Sequence, residues 1–420
     1  MKVLFIHQNF PGQFCHLAPA LVKAGHQVAA LSMSVREDVR WEGVKVYAYS
    51  VARGSTQDIH PWLVDIETKI IRAEACLAAA RRLQEKGFTP DIIVAHHGWG
   101  ESMFLKEVWP STPLGLYCEF FYKTSGGDTS FDNEFSPKDP IFDNCRLRLK
   151  NVNNLIHFEV GDLGISPTSW QASTFPTRFQ EKISVIHDGI DTRHLLPNQE
   201  ACIRFKTKSG SVSLTAEEEI ITFVNRTLEP YRGFHIFMRA LPNILQRRPN
   251  VKVLIVGGTE GGYGAGPESY GHEKGRTWKE IFIEEVRDKI SSADWSRVFF
   301  LGNLNRNDFT TVLQLSSCHV YLTYPFVLSW SLLEAMSIGC PIVASRTEPV
   351  LDAISDDETG RLIDFFDPQA LAEACDEIIS DTKLASRMSH AARTEAISKY
   401  DLHTHCLPEQ LNWVDKLSTV

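Results

Sequence analysis

Short apolar runs alternate with longer helix-like stretches along this chain. KVLFIHQ is followed by CHLAPALVKAGH, a helix-like stretch closing at Gly25, and then by HQVAALS. DIIVAHH at 91–97 and PLGLYCEF at 113–120 continue the series. A second series starts near residue 219: EIITFVN, the helical GFHIFMRALPNILQRRP, VKVLIVGG, RVFFLG, HVYLTY and CPIVAS. This βαβ rhythm predicts parallel sheets with helices on both faces. The chain therefore reads as an α/β protein with two Rossmann-like series in tandem. Their seam falls in VIHDGIDTRHLLPN, residues 185–198, where Asp188-Gly189 and Pro197 supply turn chemistry. The expected division is 1–190, 191–395 and a final helical segment 396–420. Ligands of such sheets bind beyond the carboxyl ends of the strands, so both series should point at a central cleft.

Composition narrows the function classes. Of 420 residues, 43% are hydrophobic and 23% charged, an ordinary globular mixture with material for two or three domains. A formal net charge of −9 argues against nucleic acid as the main partner. The nine cysteines are scattered and form no C-x-x-C pair, which suits reduced thiols in a cytosolic protein and neither a disulfide framework nor a zinc site. The opening MKVLFIHQNF has no long apolar core of a signal peptide and reads as a first strand. With no spanning helix, the expected location is cytoplasmic, with peripheral attachment at the inner membrane face if an acceptor is carried on lipid.

Several positions invite chemistry. Gly12 follows the first strand and precedes a helix, where a backbone or phosphate could approach closely; a plain βα turn explains it equally well. Arg226 and Arg232 flank the turn after the first strand of the second series. They suit a diphosphate, or are solvated cations with Arg226 paired to Glu229. Glu334 is the one acid in the apolar stretch Tyr324–Ser345. A carboxylate accepts hydrogen bonds from two vicinal hydroxyls, as on a ribose, or serves its own helix dipole. Ser329 and Ser331 add hydroxyls beside backbone N–H groups at that helix start. His403 and His405 lack a further ligand at metal spacing and are read as surface histidines. The Gly-rich segment 259–280 is a long loop leading into a helix and lacks the G-K-[ST] of a Walker phosphate loop.

Four segments together resemble glycosyltransferase family 4, the retaining nucleotide-sugar enzymes of GT-B fold. VLFIHQNFPGQFCHLAPALVKAGHQV resembles the family's opening strand, glycine turn and helix. VIHDGIDTRHLLP resembles its inter-domain sequence, VNRTLEPYRG its G-R-L-x-x-E-K-G, and SLLEAMSIGCPIVAS its L-L-E-A-M-A-x-G-x-P-V-V-A-S. The resemblance implies two Rossmann-like domains facing a central cleft, with the last helix returning to the first domain. It implies Glu334 on the nucleotide ribose, Arg226 and Arg232 on the donor diphosphate, Gly12 near the phosphates and Gly302 at the strand end by the base. Glu119, at a strand end where relatives carry His or Asp, is the catalytic candidate, or else pairs locally with Lys123. His97, Gly98 and Trp99 would line the acceptor side, with His97 alternatively structural; Asp128 is a weaker contact, more plausibly a turn residue.

One departure stands out. The first acid of the family's E-x(7)-E falls on Phe326, and Phe326, Val327 and Leu328 occupy the segment that meets the donor sugar. The implied reaction moves a hexose-type sugar from a UDP- or GDP-sugar to a glycan, lipid-linked or other acceptor, with retention, in polysaccharide or glycoconjugate synthesis. No cofactor or metal is expected. A nucleotide-sugar epimerase of the same architecture and a nucleotide-sugar-binding protein with weakened catalysis are the alternatives.

Overall fold

A computed structural model describes residues 1–207 and 210–420. The chain forms two compact units, one of Met1–Ser130, Pro137–Gly189 and Leu402–Val420, the other of Phe131–Ser136 and Ile190–Asp401.

The first unit is built on β1 (Lys2–Ile6), β2 (Gln27–Ser32), β3 (Val39–Trp41), β4 (Val44–Ala48), β5 (Ile92–His96), β6 (Leu114–Tyr117), β7 (Leu163–Ser166) and β8 (Ile183–Val185). Their order is β3-β4-β2-β1-β5-β6-β7-β8. All neighbours are parallel except β3, which runs antiparallel along β4. Successive residues of β1 serve opposite cores: Leu4 and Ile6 one face, Val3 and Phe5 the other. Burial on both faces is why this strand reads as an unbroken apolar run.

In the second unit β9 (Cys202–Thr207) and β10 (Gly210–Thr215) pair antiparallel. Ile203 and Leu214 join that ribbon to the core. The main sheet has β11 (Ile220–Thr227), β12 (Lys252–Gly258), β13 (Val298–Gly302), β14 (Cys318–Tyr321), β15 (Ile342–Ser345) and β16 (Arg361–Ile363). Its order is β13-β12-β11-β14-β15-β16, all parallel. This is the doubly wound arrangement, with its switch point between β11 and β14. In the first unit the corresponding switch lies between β1 and β5.

The segment Phe131–Ser136 is an excursion that the hydrophobic pattern does not announce. Within the second unit, Phe131 packs 5.1 Å from the Tyr324 ring and Phe135 lies 5.1 Å from Trp278. Asp132, 3% exposed, accepts a hydrogen bond from the Tyr324 hydroxyl at 2.6 Å and faces His235 Nε2 at 3.0 Å. Both Glu134 oxygens are held by Arg239, at 2.7 and 2.8 Å.

The last helix, Leu407–Leu417, belongs to the first unit. Trp413 is buried, and its indole N–H donates to the Gly164 carbonyl at 3.1 Å. Its ring lies where a Cβ on Gly115 would stand, so this helix sits directly on β6. Trp413→Ala should destabilise the first unit by about 3–5 kcal/mol, the usual cost of emptying such a site. The check is a lower urea midpoint in chemical denaturation; an unchanged midpoint would show that the helix contributes no stability.

Candidate functional site

In the first unit the chemistry gathers where β1 and β5 run side by side. His7 follows β1, and His96 ends β5. Both are buried, with ring centroids 5.3 Å apart. The backbone N–H of Asn9 donates to His7 Nδ1 at 3.0 Å, which leaves the His7 proton on Nε2. His7 Nε2–H then donates to Gln13 Oε1 at 2.7 Å, and the Gln13 amide donates to Glu119 Oε1 at 3.2 Å. Burial, aided by the neighbouring His96, lowers the His7 pKa to about 4, so His7 is neutral near pH 7. His96 Nε2 stands 3.6 Å from Glu119 Oε2. The His96 ring stacks between Trp99 at 4.0 Å and Tyr117 at 5.2 Å. Glu119 thus keeps a third of its side chain exposed, while Gln13 and His96 hold its carboxylate.

This arrangement explains Gly12. Its φ is +47°, and a Cβ there would run into the His7 ring. His97 is turned away from Glu119. Its Nε2 meets Asn154 Oδ1 at 2.9 Å, and burial holds its pKa well below the ordinary range. The ring therefore serves packing, while His97, Gly98 and Trp99 still border a cavity of about 210 Å³ that also reaches Glu119. The partners of Glu119 are Gln13 and His96 where the sequence suggested Lys123; the Lys123 ammonium instead lies 5.0 Å over the Trp170 ring. Asp128 is buried and opens a short 3-10 turn, in keeping with a turn residue.

In the second unit, Arg226 and Arg232 stand at the carboxyl edge of β11. Arg226 donates to the Gly261 carbonyl at 2.8 Å. Arg232 is buried and donates from Nη1 to Thr323 Oγ1 at 3.0 Å and to the Val327 carbonyl at 3.1 Å. Arg232 thereby braces the 323–328 loop against the β11 edge. The two guanidinium carbons lie 5.2 and 5.4 Å from the Tyr263 ring centroid, so both cations converge on one aromatic face. Phe326, 5% exposed, has Tyr263 at 4.8 Å and Tyr231 at 5.6 Å. Val327 and Leu328 are also buried, which leaves chiefly backbone for a ligand to meet.

Glu334 sits on the helix Trp330–Ile338, past its first turn. It is 5% exposed, and Arg306 Nη1 pairs with its Oε1 at 2.6 Å. Burial raises its pKa and Arg306 opposes that shift. Arg306 itself is more than half exposed, so this buried acid has a partner at the surface rather than in the core. Ser329 caps the helix, its Oγ accepting from the Ser331 backbone at 3.3 Å and the Ser331 hydroxyl at 3.0 Å. Gly302 ends β13 with φ +68°, a conformation that favours glycine. Sequence reasoning missed His7, His96 and Arg306; a neutral histidine pair and a distant arginine leave no local signature.

One group of residues could hold a metal: Asp132, Glu134 and His235 offer ligand atoms within 4.8 Å of one another. Arg239 already takes both Glu134 oxygens, so the donor set fits an ion-pair network better than a cation.

The chain is also similar to known proteins over both units. The family model for the Glycosyl transferase family 4 group matches residues 24–195, and that for Glycosyl transferases group 1 matches 205–395. The chain belongs to the family 4 type of glycosyltransferases and has the GT-B fold. A D-inositol 3-phosphate glycosyltransferase of Corynebacterium efficiens is 27% identical over 214 residues, 50% of this chain and 46% of the relative. The chain thus spans about half the length of the curated relatives it first matches. A sucrose-phosphate synthase from Thermosynechococcus elongatus superposes with TM-score 0.71 at 16% identity over 100% of both chains. An Anabaena protein solved with UDP and glucose gives TM-score 0.65 at 17% identity, again over 100% of both.

Glu229 yields a pH prediction. Burial raises its pKa from 4.5 to about 7, against the pull of Arg232, the Tyr263 N–H and Arg226. Between those values the folded chain keeps a proton that the unfolded chain releases. The stabilisation is full below about 4.5 and is lost as pH rises through about 7. Relative to Glu229→Gln, the wild type should lose about 3 kcal/mol between pH 4.5 and 8. Urea unfolding of both proteins across that range measures it; parallel pH profiles would contradict the assignment.

Proposed function

We propose that this protein transfers a hexose-type sugar from a nucleoside-diphosphate sugar to an acceptor hydroxyl, with retained anomeric configuration. The observation that carries the reading is Glu334: a buried carboxylate on the second unit, paired to an exposed arginine that a ligand can displace. A ribose diol replaces Arg306 there and donates to both oxygens. Arg226 and Arg232 face the diphosphate, and Gly302 ends the strand next to the base. Gly12 in the first unit gives the phosphates close backbone approach. Ser329, Ser331 and the backbone of Phe326–Leu328 complete the donor contacts.

During transfer the bond from the anomeric carbon to the diphosphate breaks and the acceptor oxygen bonds to that carbon. The leaving diphosphate carries its charge toward the two arginines. Glu119 accepts a hydrogen bond from the reacting hydroxyl and stabilises positive charge developing on the sugar. The neutral His7–Gln13 relay keeps the carboxylate aimed. The Glu119 cavity, with Trp99 and Gly98, takes the acceptor.

UDP is supported by the Anabaena neighbour solved with UDP and glucose, and GDP remains the second candidate base. The Corynebacterium relative's name favours a glycoconjugate acceptor built on a small phosphorylated polyol over a long glycan. Polysaccharide or other glycoconjugate synthesis is the setting, and peripheral membrane attachment is expected if that acceptor is lipid-linked. Among the described residues no helix is long and apolar enough to cross a membrane. The aromatic at 326 favours one other reading, a nucleotide-sugar-binding protein without turnover.

Calorimetric titration with UDP, GDP and ADP should show selective binding of one nucleotide. Glu334→Ala should weaken it by roughly 1–3 kcal/mol, the range for hydrogen bonds to a charged group. Unchanged affinity in the folded variant removes Glu334 from the donor site. Glu119→Ala should leave nucleotide affinity intact and lower turnover about 100-fold; binding with no turnover in the wild type, across acceptors, supports the binding-protein reading instead.

A further inference from the structure

The cavity beside Glu119 is lined by three basic side chains: Lys69, Arg72 and Lys150. Lys69 is satisfied internally, by Asp65 at 2.8 Å and by the Lys150 carbonyl at 3.1 Å. The other two are not. Neither Arg72 nor Lys150 is within ion-pair distance of an acid among the described residues. The Lys150 ammonium lies 3.8 Å over the Tyr122 ring, and burial lowers its pKa while Asp65 acts on it in the opposite sense. A cation out of water is costly unless an anion or strong acceptor meets it. Two such cations lining one cavity, with the cavity open to ligand, define a place for an anion that the chain itself does not supply.

We propose that this cavity binds the phosphate group of a phosphomonoester, held by Arg72 and Lys150, and that the acceptor hydroxyl of the same molecule reaches Glu119. This rests on the reading of Glu119 as the acceptor-side carboxylate. A phosphate oxygen pair matches a guanidinium fork, and the ammonium adds a point charge from a second element. Arg72 stands on the helix Val64–Glu85, whereas Lys150 ends the helix Pro140–Lys150, so two separate elements define the position. About 210 Å³ is below the usual range of roughly 300–1,000 Å³ for drug-sized ligands. It fits one small polar head group. Glu119 borders the same cavity, so a compact polyol phosphate can present both groups at once.

The test titrates the full chain with inorganic phosphate, a hexose 6-phosphate and the free hexose, with and without saturating nucleoside diphosphate. Saturation occupies Arg226 and Arg232 and leaves only the cavity for phosphate. The phosphorylated sugar should bind at least tenfold more tightly than the free sugar. Arg72→Gln and Lys150→Gln should each weaken it tenfold or more, Lys150→Arg should stay within about threefold, and Arg36→Gln, outside the cavity, should change nothing. Circular dichroism confirms that each variant is folded. Vesicles of phosphatidylcholine with and without phosphatidic acid form the second arm. Binding to the acidic vesicles that Lys150→Gln abolishes supports the same site and assigns the phosphate to a lipid head group. Equal affinity for sugar and sugar phosphate, or phosphate binding that survives both glutamine variants, overturns the proposal. Nucleotide binding lost only in Glu334→Ala would then leave the transferase reading standing, so the two can fail separately.

Discussion

A parallel sheet wound in both directions leaves one gap that its own helices cannot cover, and the chemistry of both units grows out of that constraint. In the first unit the gap lies between β1 and β5, and in the second between β11 and β14. Strand direction puts the carboxyl ends together. His7 and His96 are therefore ring neighbours, although most of a hundred residues separate them in the chain. Arg232 finds Thr323 for the same reason: β11 pairs with β14, and the residues just past the two strands meet at one edge. Neither contact could form if the sheet order or the strand direction changed.

Onto that edge the protein places charges that are partly stripped of water. Glu229 is pushed up to about 7 by burial even with two arginines near, and Glu334 is raised despite Arg306. Groups held in this state are reservoirs of electrostatic free energy that a complementary ligand releases. Buried charge in the core proper is treated differently. Asp132 has a tyrosine hydroxyl and a histidine around it, and Tyr117 donates to both Asp188 oxygens at 2.9 and 3.0 Å. Completed partners mark structural charge; partners that are exposed, as with Arg306, or missing, as with Arg72 and Lys150, mark charge kept for a ligand.

The fold was legible in the sequence because its signal is periodic and local. Continuous apolar runs, Gly25, Gly339 and the 185–198 turn chemistry place the strands and helices of both series without tertiary information. The site was legible only where a residue lies inside a recurring motif, as Glu334, Arg226 and Arg232 do. Glu119 was found by its position at a strand end, but its partners were not. Gln13 and His96 reach it through sheet order, which periodicity does not encode, and the nearby Lys123 was the natural guess from sequence distance. His97 and His96 are adjacent and chemically identical; only the turn after β5 decides which ring faces the carboxylate. The Phe131–Ser136 excursion escaped for a similar reason, since FDNEFS has the polarity of an ordinary loop and its aromatic rings find partners far along the chain.

Phe326 then becomes intelligible as part of its surroundings. An acid at this position would sit 5% exposed beside the Tyr231 and Tyr263 rings, where a carboxylate has apolar edges to meet and little water. The nearest cation, Arg232, is already committed to Thr323 and the Val327 carbonyl. The loop is thus held in shape by a charge from β11's edge acting on backbone, and its side chains are free to be apolar. In the proposed reaction this shifts recognition of the donor sugar from a carboxylate to backbone groups and aromatic faces. Aromatic faces grip the apolar C–H side of a pyranose and read its hydroxyl pattern less strictly than a charged acceptor does. The diphosphate and ribose contacts, Arg226, Arg232 and Glu334, do not pass through this position. The aromatic replacement therefore bears on which sugar is carried, while the means of holding the nucleotide remain in place.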